Sequence, residues 1–176
     1  MIILFIALLE ITLLVLAAVF FAFFMVPFFF YSAPFLPSYR RQKRKILEPL
    51  FELARSAPGN KFVDLGSGDG RVVMEFACRG FDSWGVEFNP ALVLWSRARI
   101  KLAGLKNAHI IKKNFWKIDL ASFDIVYIYQ LTSVNALLAD KFKKELKPGA
   151  LIISAGFFLP NFELVKKEGI FGVYRN

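Results

Sequence analysis

The stretch VDLGSGDGR, residues 63–71, decides how this chain folds. It completes a short apolar run and places three glycines at alternate positions, after which apolar residues return at helical spacing. Glycines at a strand-to-helix turn let the backbone turn tightly and approach a ligand closely. The stretch therefore predicts the first strand, loop and helix of an α/β sheet, with a ligand bound at the loop.

The alternation of strand and helix continues to the C-terminus. Periodicity predicts strands at residues 62–65, 83–86, 109–112, 125–129 and 150–154, and helices at 71–79, 91–103 and 134–146. The tail adds two predicted strands, residues 162–166 and 170–174, joined around Gly169. Repeated βα units imply a mostly parallel sheet with helices on both faces.

The loop also indicates which ligand it binds. A dinucleotide site needs two residues between its second and third glycines, and its pyrophosphate rests on a helix N-terminus. Here a single residue, Asp69, stands between them, and Asp64 brings a second carboxylate. Two carboxylates suit a ligand with an ammonium and a sulfonium better than they suit a diphosphate. We expect S-adenosylmethionine, bound by Asp64, Gly66, Ser67, Gly68, Asp69 and Gly70.

Residues after the next two strands complete the predicted adenosine site. Glu87 ends the second strand, about 20 residues after Gly66, where an acid accepts hydrogen bonds from ribose hydroxyls. The alternative, an exposed carboxylate at a strand end, is less consistent with the loop upstream. Asn114 and Phe115 follow the third strand, where the amide oxygen and the ring are predicted to contact adenine. Phe115 and Trp116 fit a core position as well, so that alternative stays open.

The end of the fourth strand is the predicted methyl-transfer edge. Tyr129 and Gln130 stand there and are the predicted catalytic residues, which would orient an incoming nucleophile. No strong general base stands out among them. Methyl transfer is an in-line displacement on an activated sulfonium, so positioning and desolvation of a neutral amine supply much of the catalysis.

The N-terminus has a different composition. From Met1 to Tyr39 the only charged residue is Glu10, and the apolar run Ile2–Met25 is long enough for a membrane helix, which needs about 20 residues. A basic cluster, Arg40–Lys45, follows it. The pattern predicts a single-pass membrane protein whose catalytic domain is on the cytoplasmic side. A cleaved signal peptide is the alternative.

Three segments follow from these patterns. We expect a transmembrane anchor at residues 1–31, a Pro-containing basic linker with an amphipathic helix (38–56) at residues 32–60, and a cofactor-binding domain at residues 61–176. The single Cys78 excludes an intrachain disulfide, and with the single His109 it excludes a His/Cys zinc cluster. No metal site and no nucleic-acid partner are expected, although the formal net charge is +9.

Several motifs together resemble a known family. They are Pro34–Ser38, Val63–Arg71, Gly85–Glu87, Asn114–Leu120, Leu131–Asn135 and Lys144–Gly149. They resemble the membrane-anchored seven-strand protein-lysine methyltransferases, which include mitochondrial enzymes acting on ATP synthase and on the adenine nucleotide translocase, and a soluble archaeal relative. The resemblance covers roughly residue 33 to the C-terminus. It implies a class I (Rossmann-like) methyltransferase fold, here preceded by the transmembrane helix.

The resemblance also implies roles for particular residues. Asp64, Gly66, Gly68 and Glu87 would hold S-adenosylmethionine, and Asn114 would lie by the adenine. The expected substrate is a lysine side chain of a membrane or membrane-proximal protein. The alternatives are a lipid or quinone substrate, or a non-catalytic S-adenosylmethionine-binding module. Neither the substrate's identity nor the oligomeric state follows from the sequence.

Overall fold

The computed structural model describes residues 2–22 and 43–176. Its helices are α1 (Ile2–Phe20), α2 (Lys43–Ala54), α3 (Arg71–Ala77), α4 (Pro90–Leu102) and α5 (Thr132–Glu145), with a 3-10 turn at Phe115–Lys117. Its strands are β1 (Lys61–Leu65), β2 (Asp82–Glu87), β3 (Ala108–Lys112), β4 (Ile125–Ile128), β5 (Leu151–Ala155), β6 (Leu164–Glu168) and β7 (Phe171–Arg175).

The strands of these ranges form one seven-stranded sheet in the order β3-β2-β1-β4-β5-β7-β6. The pairs among β1 to β5 are parallel, whereas β7 runs antiparallel to both β5 and β6. The strand order reverses between β1 and β4, so the loops after these two strands meet at the carboxyl edge of the sheet. That switch point is where open α/β sheets bind their ligands.

One face of the sheet packs against α2 and α3. Phe62 of β1 stacks on Phe76 of α3 with ring centroids 3.8 Å apart, and Phe51 of α2 meets Phe76 edge-on at 4.8 Å. Such aromatic pairs contribute about 0.5–1.5 kcal/mol beyond the burial of their area. They fix α3, and with it the glycine loop that precedes α3, against β1.

The other face packs against α5. Side chains alternate along a strand, so Val63 points away from Phe62 and joins a core that contains Val126 of β4 and the fully buried Leu138 and Phe142 of α5. Because β1 is buried on both faces, it reads as a nearly continuous apolar run, which is typical of a central parallel strand.

The structure confirms the predicted order of strands and helices, including two tail strands on either side of Gly169. Helix α3 ends at Ala77, before the predicted end at Arg79, since the chain turns at Gly80 with a φ of 90°. The start of α4 is capped by Asn89, whose side-chain oxygen accepts a hydrogen bond from the N–H of Ala91 at 2.9 Å. This cap satisfies a backbone group that the first helical turn leaves unpaired.

The predicted membrane anchor at residues 1–31 is wrong. Helix α1 spans Ile2–Phe20 and carries Glu10 near its middle. None of the helices in the two described ranges is long and apolar enough to cross a membrane. The predicted location, a single-pass membrane protein with its catalytic domain on the cytoplasmic side, is wrong for the same reason.

Part of the predicted linker also lies outside the described residues. The Pro34–Ser38 motif falls there, together with the first residues of the basic cluster Arg40–Lys45. Within the predicted amphipathic helix, residues 38–56, the structure places α2 from Lys43 to Ala54.

Candidate functional site

The glycine loop after β1 forms the base of the site. Gly66, Gly68 and Gly70 all have positive φ, at 92°, 56° and 74°, a conformation that side chains with a Cβ rarely adopt. The N–H of Gly66 bonds to the carbonyl of Val86 at 2.8 Å, so the loop is tied to the end of β2. A Cβ on Gly68 would meet no described heavy atom within 4 Å. The loop therefore faces open space where a ligand can approach its backbone.

Gly70 is required for helix packing, whereas Gly68 faces open space. A Cβ at this position would lie 2.8 Å from the Cβ of Ser96 on α4. Gly70 thus lets α3 and α4 approach each other closely, and its own position at the start of α3 sets where the helix begins.

Glu87 holds the loop and the end of β2 together. Its Oε2 accepts a hydrogen bond from the N–H of Gly68 at 2.9 Å, and its Oε1 accepts bonds from Phe88 at 2.8 Å and Asn89 at 2.7 Å. A carboxylate offers about four lone-pair positions, so about one remains on Oε2 for a ligand hydroxyl. The side chain is buried. The alternative of an exposed strand-end carboxylate is therefore wrong, while the ribose contact stays a prediction.

Asp64 is the most deeply buried acid of the site. It lies one residue before the end of β1, beside Gly85 of β2, with 4% of its surface exposed. Burial raises the pKa of this carboxyl well above its ordinary value, and the negative charges of Glu87 and Asp69 raise it further. A cationic ligand group at this position would relieve the repulsion and favour the ionised form.

Asp69 is engaged by two arginines. Its carboxylate bonds to the guanidinium of Arg71 at 2.8 and 2.9 Å and to Arg99 of α4 at 2.8 Å. Burial alone would raise the pKa of Asp69, but the hydrogen bond and the charge of Arg71, with the charge of Arg99, outweigh it and lower the pKa. Asp69 therefore fixes the loop to α4 through Arg99. Its contact with the cofactor stays a prediction.

Ser67 and the two buried acids fit S-adenosylmethionine. The Ser67 hydroxyl is buried and has no hydrogen-bond partner within residues 2–22 and 43–176. Buried polar groups are nearly always paired, so an unpaired one at an open loop is consistent with a ligand partner. Asp64 and Glu87 supply negative charge for a cofactor that carries an ammonium and a sulfonium. The structure thus brings the predicted loop residues and Glu87 together at one edge.

Asn114 and Phe115 lie at the same edge of the sheet, two strands away from the loop. Lys112, the last residue of β3, pairs with Glu87, the last residue of β2, and Asn114 follows two residues after Lys112. The Asn114 side-chain oxygen accepts the N–H of Trp116 at 3.0 Å and so caps the 3-10 turn, while Phe115 packs partly buried against the α5-side core. Phe115 thus packs in part against the core, as the alternative interpretation predicted, and the adenine contacts of Asn114 and Phe115 stay predictions.

Tyr129 and Gln130 extend from the end of β4 towards different neighbours. The Gln130 amide donates to the carbonyl of Leu65 at 3.1 Å, directly before the glycine loop. The Tyr129 ring lies 6.0 Å from the ring of Phe157, in the loop after β5, at an interplanar angle of 48°. These two residues therefore join the cofactor loop to the β5 loop, and their catalytic roles stay predictions.

Two buried polar residues at this edge were not predicted. Asn135 in the first turn of α5 and Ser154 at the end of β5 are both fully buried. Ser154 was predicted to end the fifth strand, and Asn135 closed the Leu131–Asn135 motif of the resemblance, but neither was given a role at the site. A polar residue on the buried face of an amphipathic helix was the available signal for Asn135.

The chain is similar to known methyltransferases. Residues 64–166 match the family model of the ANTKMT methyltransferase domain. A protein-lysine N-methyltransferase from Saccharolobus islandicus is 32% identical over 142 residues, which cover 77% of this chain and 85% of that protein. A lysine N-methyltransferase from Caenorhabditis elegans, whose name gives an ATP synthase subunit as its target, is 35% identical over 139 residues, covering 77% of this chain and 72% of that protein.

A solved structure supports the same conclusion. An RNA methyltransferase from Salinibacter ruber, in complex with S-adenosyl-L-homocysteine, matches with a TM-score of 0.66 and 27% identity over 81% of this chain and 92% of that one. The predicted class I sheet and the predicted cofactor are confirmed. The chain belongs to the ANTKMT methyltransferase domain family, and it is an S-adenosylmethionine-dependent methyltransferase.

Proposed function

We propose that this methyltransferase methylates lysine side chains of a protein substrate. The observation that carries the proposal is the 32% identity to a protein-lysine N-methyltransferase over 85% of that protein's length. The matched length, 142 residues, exceeds the 115 residues from the start of β1 to the end of β7, which is the extent expected if the two chains share a whole domain.

The cofactor side of the proposal rests on charge and backbone geometry. S-adenosylmethionine, when bound, supplies an electrophilic methyl group on a sulfonium. Asp64 supplies negative charge at the floor of the site, and Glu87 offers its remaining Oε2 position to a ribose hydroxyl. The open backbone at Gly68 lets the ligand approach closely.

The acceptor side favours an amine over a hydroxyl or a carbon acid. Tyr129 and Gln130 follow β4 and are themselves followed by Leu131 and Thr132, so this segment carries neither a carboxylate nor an imidazole. Hydroxyl and carbon acceptors need a base to remove a proton before or during attack, and a positioned general base contributes about 10²–10⁴-fold. A neutral amine already has a free electron pair, so orientation and exclusion of water suffice.

The test is transfer of a labelled methyl group from S-adenosylmethionine by the full chain. The acceptors are a total-protein extract, split into membrane and soluble fractions, and a lipid extract. After proteolysis, mass spectrometry locates the label. We expect it on lysine, and the labelled fraction then shows whether the substrate is the membrane or membrane-proximal protein expected from the resemblance.

The other outcomes contradict the proposal in distinct ways. Label in the lipid extract alone would assign a lipid or quinone substrate. S-adenosylmethionine binding without any transfer would leave a non-catalytic binding module.

A further inference from the structure

A buried polar cluster between the first turn of α5 and the end of β5 takes no part in the cofactor loop. Asn135 is fully buried, and its amide nitrogen donates to the Ser154 hydroxyl at 3.3 Å and to the carbonyl of Phe158 at 3.2 Å. Ser154, also fully buried, donates to the carbonyl of Phe157 at 2.5 Å. The side-chain oxygen of Asn135 has no hydrogen-bond partner in the part of the chain that the structure describes.

This cluster fixes the loop after β5. Two successive carbonyls of the loop, those of Phe157 and Phe158, are held by Ser154 and Asn135. Gly156 turns with a φ of 75°, and a Cβ there would lie 3.3 Å from the Tyr129 ring. The loop can therefore lie close to Tyr129, which leaves the Phe157 ring beside the Tyr129 ring.

The aromatic pair lies next to the cofactor loop. Gln130 bonds to the carbonyl of Leu65, and a Cβ on Gly66 would lie 2.8 Å from the Gln130 amide nitrogen. Tyr129 is the preceding residue, and both follow directly after β4. The two residues after β4 thus contact the cofactor loop through the Gln130 amide and the loop after β5 through the Tyr129 ring.

We propose that Tyr129 and Phe157 form the aromatic site that receives the target lysine, and that Asn135 is the positioning residue that holds Phe157 there. This inference rests on the proposed function. Aromatic faces attract an ammonium and pack against its methylene stem. Both rings are half-buried, so they offer accessible surface while limiting water.

The methyl transfer at this site conserves atoms and charge. The lysine ammonium loses one proton to water, and the nitrogen electron pair then forms a bond to the methyl carbon. The carbon–sulfur bond breaks, and its electron pair stays on sulfur, which becomes neutral. The methylated nitrogen carries the positive charge until it releases a further proton to water.

Phe158 provides a matched control beside Phe157. Its ring is 59% exposed and lies under the ammonium of Lys167 on β6, at 5.3 Å. Replacing the Phe158 side chain leaves its backbone carbonyl, and hence the bond to Asn135, in place.

The experiment compares full-length variants in label transfer to the lysines of the total-protein extract, at varied extract and S-adenosylmethionine concentrations. We expect Phe157→Leu to raise the apparent KM for extract protein by about tenfold, the scale of a lost cation–π contact. Phe157→Tyr and Phe158→Leu should stay within about twofold of the wild type. Asn135→Asp, which has no amide donor, should raise the same KM, and calorimetry should show an unchanged Kd for S-adenosylmethionine in every variant.

Different results separate the two proposals. Lysine labelling by the wild type with equal KM values for Phe157→Leu and Phe158→Leu would overturn the aromatic site. An unchanged KM for Asn135→Asp would overturn the positioning role, and if that variant does not fold, the two phenylalanine variants still decide the site. A changed cofactor Kd in Phe157→Leu would also overturn the aromatic site, because the KM change would then not be specific to the acceptor. No lysine label from the wild type would overturn the proposed function itself.

Discussion

Replacing Glu87 by Gln tests the centre of the cofactor site, because the change keeps the shape of the side chain and removes its charge. In the structure the carboxylate accepts three backbone N–H groups, at 2.7, 2.8 and 2.9 Å. An amide oxygen can still accept the pair from Phe88 and Asn89. Its NH₂ group would then face the N–H of Gly68, so one bond is replaced by two opposed donors.

The size of the effect follows from those bonds. A hydrogen bond to a charged group contributes about 1.5–3 kcal/mol, against about 1 kcal/mol for a neutral one. The loss is partly offset, because removing the Glu87 charge relieves its repulsion of Asp64. We expect the free energy of unfolding to fall by about 1–2 kcal/mol, which lowers the Tm by about 2–8 °C. Loss of the ribose acceptor should weaken cofactor binding by about 10- to 100-fold.

Thermal unfolding and titration calorimetry with S-adenosylmethionine measure the two effects separately. Glu52→Gln is the matched control, since Glu52 on α2 pairs with Arg55 and the Glu52 side chain is 70% exposed. Such surface pairs contribute about 0–1 kcal/mol. A lower Tm with cofactor affinity within threefold of wild type would refute the ribose contact. Unchanged Tm and affinity would refute the loop-holding role as well.

The remaining predictions concern the floor of the site and its glycines. Asp64→Asn should raise the Tm of the ligand-free protein, because the buried charge disappears, and should weaken cofactor binding measured by calorimetry; a lower Tm would contradict the reasoning. The folded-state pKa of Asp64 is raised above its ordinary value of 3.8, so the folded state holds this proton more tightly than the unfolded state does. The stability contributed by Asp64 should therefore be lost as pH rises from 3.8 through the raised pKa. Cofactor affinity should rise over the same pH range, because the carboxylate becomes charged. The difference between the wild type and Asp64→Asn, followed by denaturant unfolding across pH, isolates this contribution, and parallel curves would contradict it. Gly70→Ala should lower the free energy of unfolding by about 2–4 kcal/mol, because the residue has a positive φ and its Cβ would meet Ser96. Gly68→Ala should lower it by only about 1–2 kcal/mol and should chiefly reduce cofactor affinity. The reverse order in unfolding and binding measurements would contradict these roles of the two glycines.

The sheet was predictable because its determinants are local. Each central strand is a short apolar run, and each glycine or Asn-Pro pair between runs ends one element or begins the next. Asn89 illustrates this, since the side chain before Pro90 caps α4 as the sequence indicates. The N-terminal segment shows the limit of the same reasoning, because apolar composition predicts burial in a non-aqueous environment without fixing where a helix ends. Apolar composition therefore predicted a membrane span, yet none of the helices among the described residues is long and apolar enough to form one.

The site was predictable where residues act through their position on a strand end, as Glu87 and the glycine loop do. It was not predictable where the partner is distant in sequence. The bond from Arg99, 30 residues further on, to Asp69 could not be read from the sequence. Gln130 likewise reaches a carbonyl 65 residues before it. Such pairs depend on the register of the folded sheet, which periodicity does not encode.

The two buried acids of the site differ in how the fold compensates them, and that difference separates their functions. Glu87 is surrounded by three backbone N–H groups, so its charge is tied to the shape of the loop. At Asp64 burial and neighbouring negative charge dominate, and both oppose ionisation. A bound cation can therefore stabilise Asp64 more than it stabilises Glu87. It follows that Glu87→Gln should impair the ligand-free fold and cofactor binding together, whereas Asp64→Asn should improve the first and impair the second.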